Sequence, residues 1–404
     1  MKVLVYPHAM EVGGSQLNAI ELAAAVRDLG HQVDVISEPG PLVARVTASG
    51  LEHLPLDPGR RRPAPATVRL LRRLIAERGY DVVHGYEWPP GVEAFFAALP
   101  TRPRGRAAAV CTVMSMAVAP FLPDSLPLIV GTRELQERTA ARRAHPVELI
   151  EPPVDVHANA PGHPCADFRA RYGLTEPGLD VVVICRLVAE LKLEGLLTAI
   201  DVVGGLATEA PLRLVICGDG PAREVVETRA AQVNNALGRR AIVLTGQLAD
   251  PRPAYAAAWV ALGMGGSALR ALAFGRPLIV QGERGFFELL TPETCDIFLR
   301  QGWYGVGGNG AEQLTAILRR LIADDGLPAK LGGYGRELVV ERFSLERAAT
   351  VQERIYRDAL ESAGGARRDA VRTAGRVASY KLRRRYQRLR GTARADDFNA
   401  VRRA

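Results

Sequence analysis

Short apolar runs alternate with longer stretches of helical period along most of the chain. Residues 2–6 read as a buried strand, and residues 15–29 place Leu17, Ile20, Leu22, Ala24 and Val26 on one helical stripe. A strand at 32–37, a short helix at 41–48, a strand at 51–56 and a Leu- and Arg-rich helix at 66–79 follow. Further strands are predicted at 81–84, 107–112 and 126–131. Runs that are continuously apolar, rather than alternating, predict strands buried on both faces: a parallel sheet between helical layers.

Residues 151–164 interrupt this rhythm with four prolines in 14 residues. Neither a helix nor a central strand tolerates that density, so a hinge is predicted there. The strand–helix series then resumes, with strands at 179–185, 212–217, 241–244, 260–263 and 277–280. Helices are predicted between them at 193–206, 222–237, 253–259 and 267–274, then at 311–324 and 345–362. The predicted fold is α/β: two doubly wound, Rossmann-like parallel-sheet domains facing a cleft. Residues 1–150 form the first domain, 151–164 the hinge, 165–345 the second domain, 346–363 a closing helix and 364–404 a tail.

Composition narrows the class. With 48% hydrophobic and 24% charged residues in 404, a disordered or fibrous chain is excluded. No run reaches the ~20 apolar residues of a bilayer span, and the apolar start is too short for a signal peptide. Five widely spaced cysteines without a Cys-x-x-Cys pair argue against disulfides and zinc and for a reducing cytoplasm. No metal-ligand spacing appears, so no metal and no cofactor is expected.

The net charge of +8 is unevenly placed. Residues 364–404 hold 13 basic and 3 acidic groups, leaving 39 basic and 41 acidic in the rest. Only the tail is basic. Its Val371, Ala374, Ala378, Leu382, Tyr386 and Leu389 recur at steps of three and four, one helical stripe flanked by arginines. Such a helix suits an anionic membrane surface, which would place the protein at the inner membrane face. Docking on the protein's own surface is the competing reading. Nucleic acid is not expected, since no aromatic stacking platform accompanies the charge.

Three glycine turns stand where strands hand over to helices: Gly13-Gly14, Gly218-Asp219-Gly220, and Gly265-Gly266-Ser267 after Gly263. Exposed amides and a helix dipole there attract phosphate, and ligands of such sheets bind at the carboxyl ends of strands. Arg186 and Lys192 flank another such loop. Two cations there could neutralise a diphosphate without metal. Lysine is otherwise rare, with only Lys2, Lys330 and Lys381 besides, which marks Lys192. His8, His84 and Glu87 follow first-domain strands and are candidate acceptor contacts, with structural roles as the competing reading. Trp88, Trp259 and Trp303 read as packing residues.

Over residues 1–360 the chain resembles the retaining, GT-B-fold glycosyltransferases of family 4. The resemblance rests on Gly13-Gly14, Gly30-His31-Gln32-Val33, Asp81-Val82-Val83-His84 and Glu151-Pro-Pro-Val-Asp155. In the second half it rests on Arg186-Leu187-Val188 with Lys192, Gly218-Asp219-Gly220-Pro221, Thr245-Gly246-Gln247 and Ala271-Leu272-Ala273-Phe274-Gly275-Arg276-Pro277. Gly285-Phe286-Phe287-Glu288 and Glu341-Arg342-Phe343-Ser344 complete it. The resemblance implies a nucleotide-diphosphate sugar held by the second domain, with Arg186 and Lys192 on its diphosphate and Gly13 and Gly14 closing over the phosphates. Gly218, Gln247, Gly265, Gly266, Ser267, Arg270 and Glu288 complete the implied donor set. Two departures stand out. Arg270 and Leu262 occupy the places of the family's Glu-x7-Glu pair, and Met114 that of a His near the donor sugar. The implied function is metal-independent transfer of a sugar to a small-molecule or glycan acceptor with retained configuration. A catalytically degenerate binding or partner subunit is the competing class. A sugar-nucleotide epimerase would need carboxylate acid–base groups that the sequence does not place.

Overall fold

The continuously apolar runs pair into two sheets, one in each of two units. Met1–Pro152 with Leu345–Ala404 forms the first unit, and Pro153–Ser344 the second. The computed structural model describes residues 1–57, 62–99, 107–362 and 366–392. The end of the predicted tail, with Asp396, Asp397, Arg402 and Arg403, lies outside the described residues.

The first unit opens with β1 (Lys2–Tyr6), α1 (Gly14–Asp28), β2 (Gln32–Ser37), α2 (Val43–Ala48), β3 (Glu52–Pro55) and α3 (Pro65–Arg78). It continues through β4 (Val82–Tyr86), α4 (Trp88–Ala98), β5 (Ala108–Val113), β6 (Leu128–Val130), α5 (Arg133–Ala140) and β7 (Val147–Leu149). The sheet order is β3-β2-β1-β4-β5-β6-β7, and every pairing is parallel. Both faces are buried, as the unbroken apolar runs require. Val3 and Val5 pack into one core, Leu4 and Tyr6 into the other.

The second unit runs α6 (Ala166–Tyr172), β8 (Leu179–Ile184), a π-turn at Ala189–Leu193, α7 (Glu194–Leu206), β9 (Leu212–Cys217) and α8 (Arg223–Leu237). Then come β10 (Ile242–Gly246), α9 (Arg252–Ala257), β11 (Val260–Gly263), α10 (Gly265–Ala273), β12 (Leu278–Gln281) and β13 (Phe287–Leu289). Helices α11 (Cys295–Gln301), α12 (Ala311–Ala323) and α13 (Leu327–Arg342) complete it. The order β10-β9-β8-β11-β12-β13 repeats the first six positions of the first sheet, with no counterpart of β7 and with the unpredicted β13 antiparallel. In each sheet the order reverses beside the first strand, between β1 and β4 and between β8 and β11. Such switch points open a crevice at the carboxyl ends of the strands.

Two boundaries differ from those predicted. Residues 153–164 belong to the second unit, because α13 holds them there. Arg336 donates to the carbonyls of Val156 and Asn159, and Val154 N–H to Phe343 O. The closing helix α14 (Leu345–Glu361) packs in the first unit, with Ala348, Ala349, Ile355 and Tyr356 in the same core as Val3 and Val5. The tail forms α15 (Ala366–Leu389), also in the first unit. Among the described residues no helix is long and apolar enough to cross a membrane. All five cysteines are free thiols.

Candidate functional site

The loops at the carboxyl ends of the strands carry the unusual backbone. Among the described residues, three non-glycine residues have positive φ: Glu87 (68°), Leu191 (67°) and Arg284 (53°). They lie in the segments leaving β4, β8 and β12. Each such conformation costs about 1–3 kcal/mol and persists only where its surroundings impose it.

In the second unit the segment leaving β8 holds the two predicted cations. Arg186 is exposed and Lys192 half-buried, and neither joins an ion pair among the described residues. Between them the π-turn departs from helical geometry at Glu190 and Leu191 before α7 begins. Burial pushes the Cys185 thiol up, and the nearby Lys192 ammonium opposes that shift. The glycines of the next loop act on this one. A Cβ on Gly218 would stand 1.8 Å from Cys185 O, and one on Gly220 2.3 Å from Leu187 O. Only glycine permits this approach, which lets Leu187 N–H reach Asp219 O at 2.9 Å and Ala222 N–H reach Leu187 O at 3.0 Å.

Glu194 was not singled out in the sequence, yet it joins α7 to the loop after β12. Its carboxylate oxygens accept from Gly285 N–H at 2.8 Å and Arg284 N–H at 3.0 Å. Gln281, at the end of β12, is 1% exposed, and neither of its amide atoms has a hydrogen-bond partner. Its Oε1 is 3.3 Å from where a Cβ on Gly195 would begin, in the first turn of α7. A buried amide left unpaired is costly, so a polar side chain held there against a helix N-terminus is notable.

The other predicted donor residues separate into open and occupied. Gln247 is exposed beyond β10. Glu288 lies half-buried on β13 and accepts from Gln313 Nε2 at 3.2 Å. Arg270 sits on α10 one turn after Gly266, with its Nη1 3.3 Å from where a Cβ on Gly266 would lie. Four further positions are engaged within the fold itself. Gly218 N–H is taken by Gly246 O at 2.9 Å, and Gly265 N–H by Trp303 O at 2.7 Å, so neither amide is open to a phosphate. Ser267 Oγ caps α10 through Met264 N–H and O. Leu262, read as the place of the first carboxylate, is an interior residue of β11 at 2% exposure. Strand β11 passes into α10 through Met264 alone, which leaves no loop to carry such a group.

In the first unit the corresponding loops are tied together by a carboxylate. Glu87, 7% exposed, accepts from Ser115 Oγ at 2.5 Å, Met114 N–H at 2.9 Å and Ser15 Oγ at 3.3 Å. Burial raises its pKa, and the bonds from Ser115, Met114 and Ser15 oppose the rise. Ser15 follows Gly13-Gly14 directly, so Glu87 fixes the start of α1 against the end of β5. Both glycines are placed to expose backbone: Gly13 precedes α1 with no side-chain cap, and a Cβ on Gly14 would meet nothing. Glu87 thus takes the structural one of its two expected roles and positions these loops. His84 does likewise. Its Nδ1 and Nε2 lie 2.8 Å from Tyr356 Oη and Thr112 Oγ1, and complete burial depresses its pKa to about 3. His8 is half-buried, its Nε2 3.2 Å from Gln16 Nε2. Met114 is half-buried at the end of β5, its Cε near Gly131. Trp88 and Trp303 pack edge-on and stacked against Phe121 and Phe298, as expected. No cluster of metal-ligating side chains occurs among the described residues.

Two Rossmann-order sheets, each with glycine-bearing loops at the carboxyl ends of its strands, define a GT-B glycosyltransferase fold. The sequence model of Glycosyltransferase Family 4 matches residues 12–158, and that of Glycosyl transferases group 1 matches residues 178–324. The chain belongs to the GT-B glycosyltransferases of the family 4 type. It is 35% identical over 91 residues to the phosphatidyl-myo-inositol mannosyltransferase of Mycolicibacterium smegmatis. That alignment spans 21% of this chain and 24% of the mannosyltransferase. The fold is similar to the crystal structure of a glycosyltransferase from Rickettsia africae, with a TM-score of 0.71 at 16% identity over 89% of this chain and 98% of the other. It is also similar to Anabaena HepE in complex with UDP, with a TM-score of 0.68 at 15% identity over 88% and 99%.

Proposed function

We propose that the protein transfers a sugar from a nucleotide-diphosphate donor to a small-molecule or glycan acceptor with retained anomeric configuration. The observation that carries this reading is the loop after β8: Arg186 precedes, and Lys192 lies within, a strained π-turn at the switch point, both outside any ion pair among the described residues. Breaking the sugar–phosphate bond develops charge on the leaving diphosphate, and cations fixed beside it stabilise that charge. The first turn of α7 and the buried amide of Gln281 add polar groups on the same side. The UDP in the Anabaena neighbour supports a nucleotide ligand. Acceptor binding is assigned to the first unit. No metal is assigned a role, because the two cations supply the neutralising charge.

A second reading is favoured by one observation. By the resemblance Arg270 stands at the place of the family's second Glu, and β11 leaves no loop for the first. A protein that binds a nucleotide sugar without turning it over would show this pattern. A thermal-shift panel of UDP-, GDP-, ADP- and dTDP-sugars, followed by an activity assay on each hit, separates the two. Release of nucleoside diphosphate with an α-linked product from an α-linked donor supports transfer with retention. Stabilisation without release supports the binding subunit, and no stabilisation by any donor contradicts both.

A further inference from the structure

Helix α15 is occupied on one side only. On its inner side Thr373 and Val377 are 2% and 8% exposed, and Ala370 and Tyr380 pack into the first unit's core. Tyr380 meets Trp88 and Phe121, Lys381 Nζ donates to Pro63 O at 2.8 Å, and Asp369 accepts from Ser125 N–H at 2.7 Å. This docked face is distinct from the stripe read in the sequence. The stripe lies opposite, and it remains in solvent.

Val371, Leu382, Tyr386 and Leu389 are 77%, 67%, 53% and 80% exposed, the four most exposed large apolar side chains among the described residues. With exposed Ala374 and Ala378 they form a ribbon of roughly 27 Å at helical rise. Helical geometry sets exposed Arg372, Arg376, Arg383 and Arg390 along one edge and exposed Arg388 along the other, with Arg385 beside the stripe's alanines. Asp369, the sole acid of residues 366–392, is turned inward. The outer face therefore carries apolar and cationic side chains and no acid, while the inner face fixes its orientation.

We propose that this outer face lies on an anionic lipid bilayer and anchors the first unit there. An interfacial helix sinks its apolar stripe below the headgroups and leaves its arginines at phosphate level. A bilayer supplies both parts, hydrocarbon for the stripe and negative charge for the margins. A second copy of the face would supply the apolar half but bring arginine edge against arginine edge.

The test is flotation of the full chain with phosphatidylcholine vesicles, with and without phosphatidylglycerol. The wild type is expected to float with the anionic vesicles, less so as salt rises. Leu382→Gln/Leu389→Gln, and separately Arg372→Gln/Arg376→Gln/Arg383→Gln/Arg390→Gln, should each lower partitioning by about tenfold or more. Both should keep the wild-type melting temperature, because these side chains are exposed. The control Val225→Gln/Ile297→Gln, exposed apolar residues of the second unit, should float unchanged. A wild type that ignores anionic vesicles at low salt would overturn the proposal. So would Leu382→Gln/Leu389→Gln floating normally, or a solution dimer that this variant dissociates, which would assign the stripe to a second copy.

Discussion

The first unit leaves β1 through residues 7–13, which hold no Lys or Arg, and the second leaves β8 through a loop bearing Arg186 and Lys192. The two sheets share one strand order, so the contrast lies in what each switch point carries. In the first unit a buried carboxylate, Glu87, ties three loop positions together and its charge is used internally. In the second, the tying is done by backbone, through Gly218 and Gly220, and by Glu194, which leaves the two cations for a ligand. Topology sets where a ligand binds, and the balance between internal and outward-facing charge sets which ligand. On that ground the proposed anionic donor is assigned to the second unit.

The sharpest way to break this contrast is to remove the glycine that knits the second unit's loops. Gly218→Ala places a Cβ inside the Cys185 carbonyl and should cost about 3–5 kcal/mol, read as a lost or much lowered denaturation midpoint. In the first unit, Glu87→Gln keeps the shape of the tie but loses its charge. About 1–3 kcal/mol of stability should go, while nucleotide-sugar affinity stays within a few-fold. If donor affinity fell as far as stability, the division of labour between the units would be wrong.

His84 gives a pH signature confined to the first unit. Its folded pKa of about 3 lies below the ordinary histidine value of 6.5, so the unfolded chain binds the extra proton between those values. Stability should therefore fall as pH drops below 6.5, with a slope approaching about 1.4 kcal/mol per pH unit for this group. Urea midpoints for the wild type and His84→Gln across pH 7.5 to 5, compared by domain-specific probes, would read it. Parallel curves would contradict the assignment. The smallest effect belongs to truncation after Gly391, which keeps both faces of α15 and should shift neither melting temperature nor donor binding measurably.

Much of the fold was legible because buried parallel strands write unbroken apolar runs. What escaped has physical reasons. Helix α13 contains Gly332, Gly333 and Gly335, which lower helix propensity. The structure needs them for close packing, since a Cβ on Gly332 would stand 2.1 Å from Gly275 O and one on Gly335 2.5 Å from Leu272. Helix α4 begins Trp-Pro-Pro-Gly, which reads as a turn, although prolines suit a first helical turn. Strand β13 is three residues long, too short for any period. The tail's outer stripe was legible because it recurs over six positions, while the docked face of Ala370, Thr373, Val377 and Tyr380 is shorter and includes a polar residue. Of the site, the cations were legible as charge beside a strand end. The roles of Glu87 and Glu194 were not, because a carboxylate that accepts from a distant loop leaves no local pattern.

The most direct test of the central claim is calorimetric titration of the stabilising nucleotide sugar into the wild type, Arg186→Ala and Lys192→Ala. The account predicts at least about tenfold weaker binding in each variant with unchanged melting temperature, the loss expected when a charge-assisted contact to the diphosphate is removed. Equal affinity in all three proteins would contradict it.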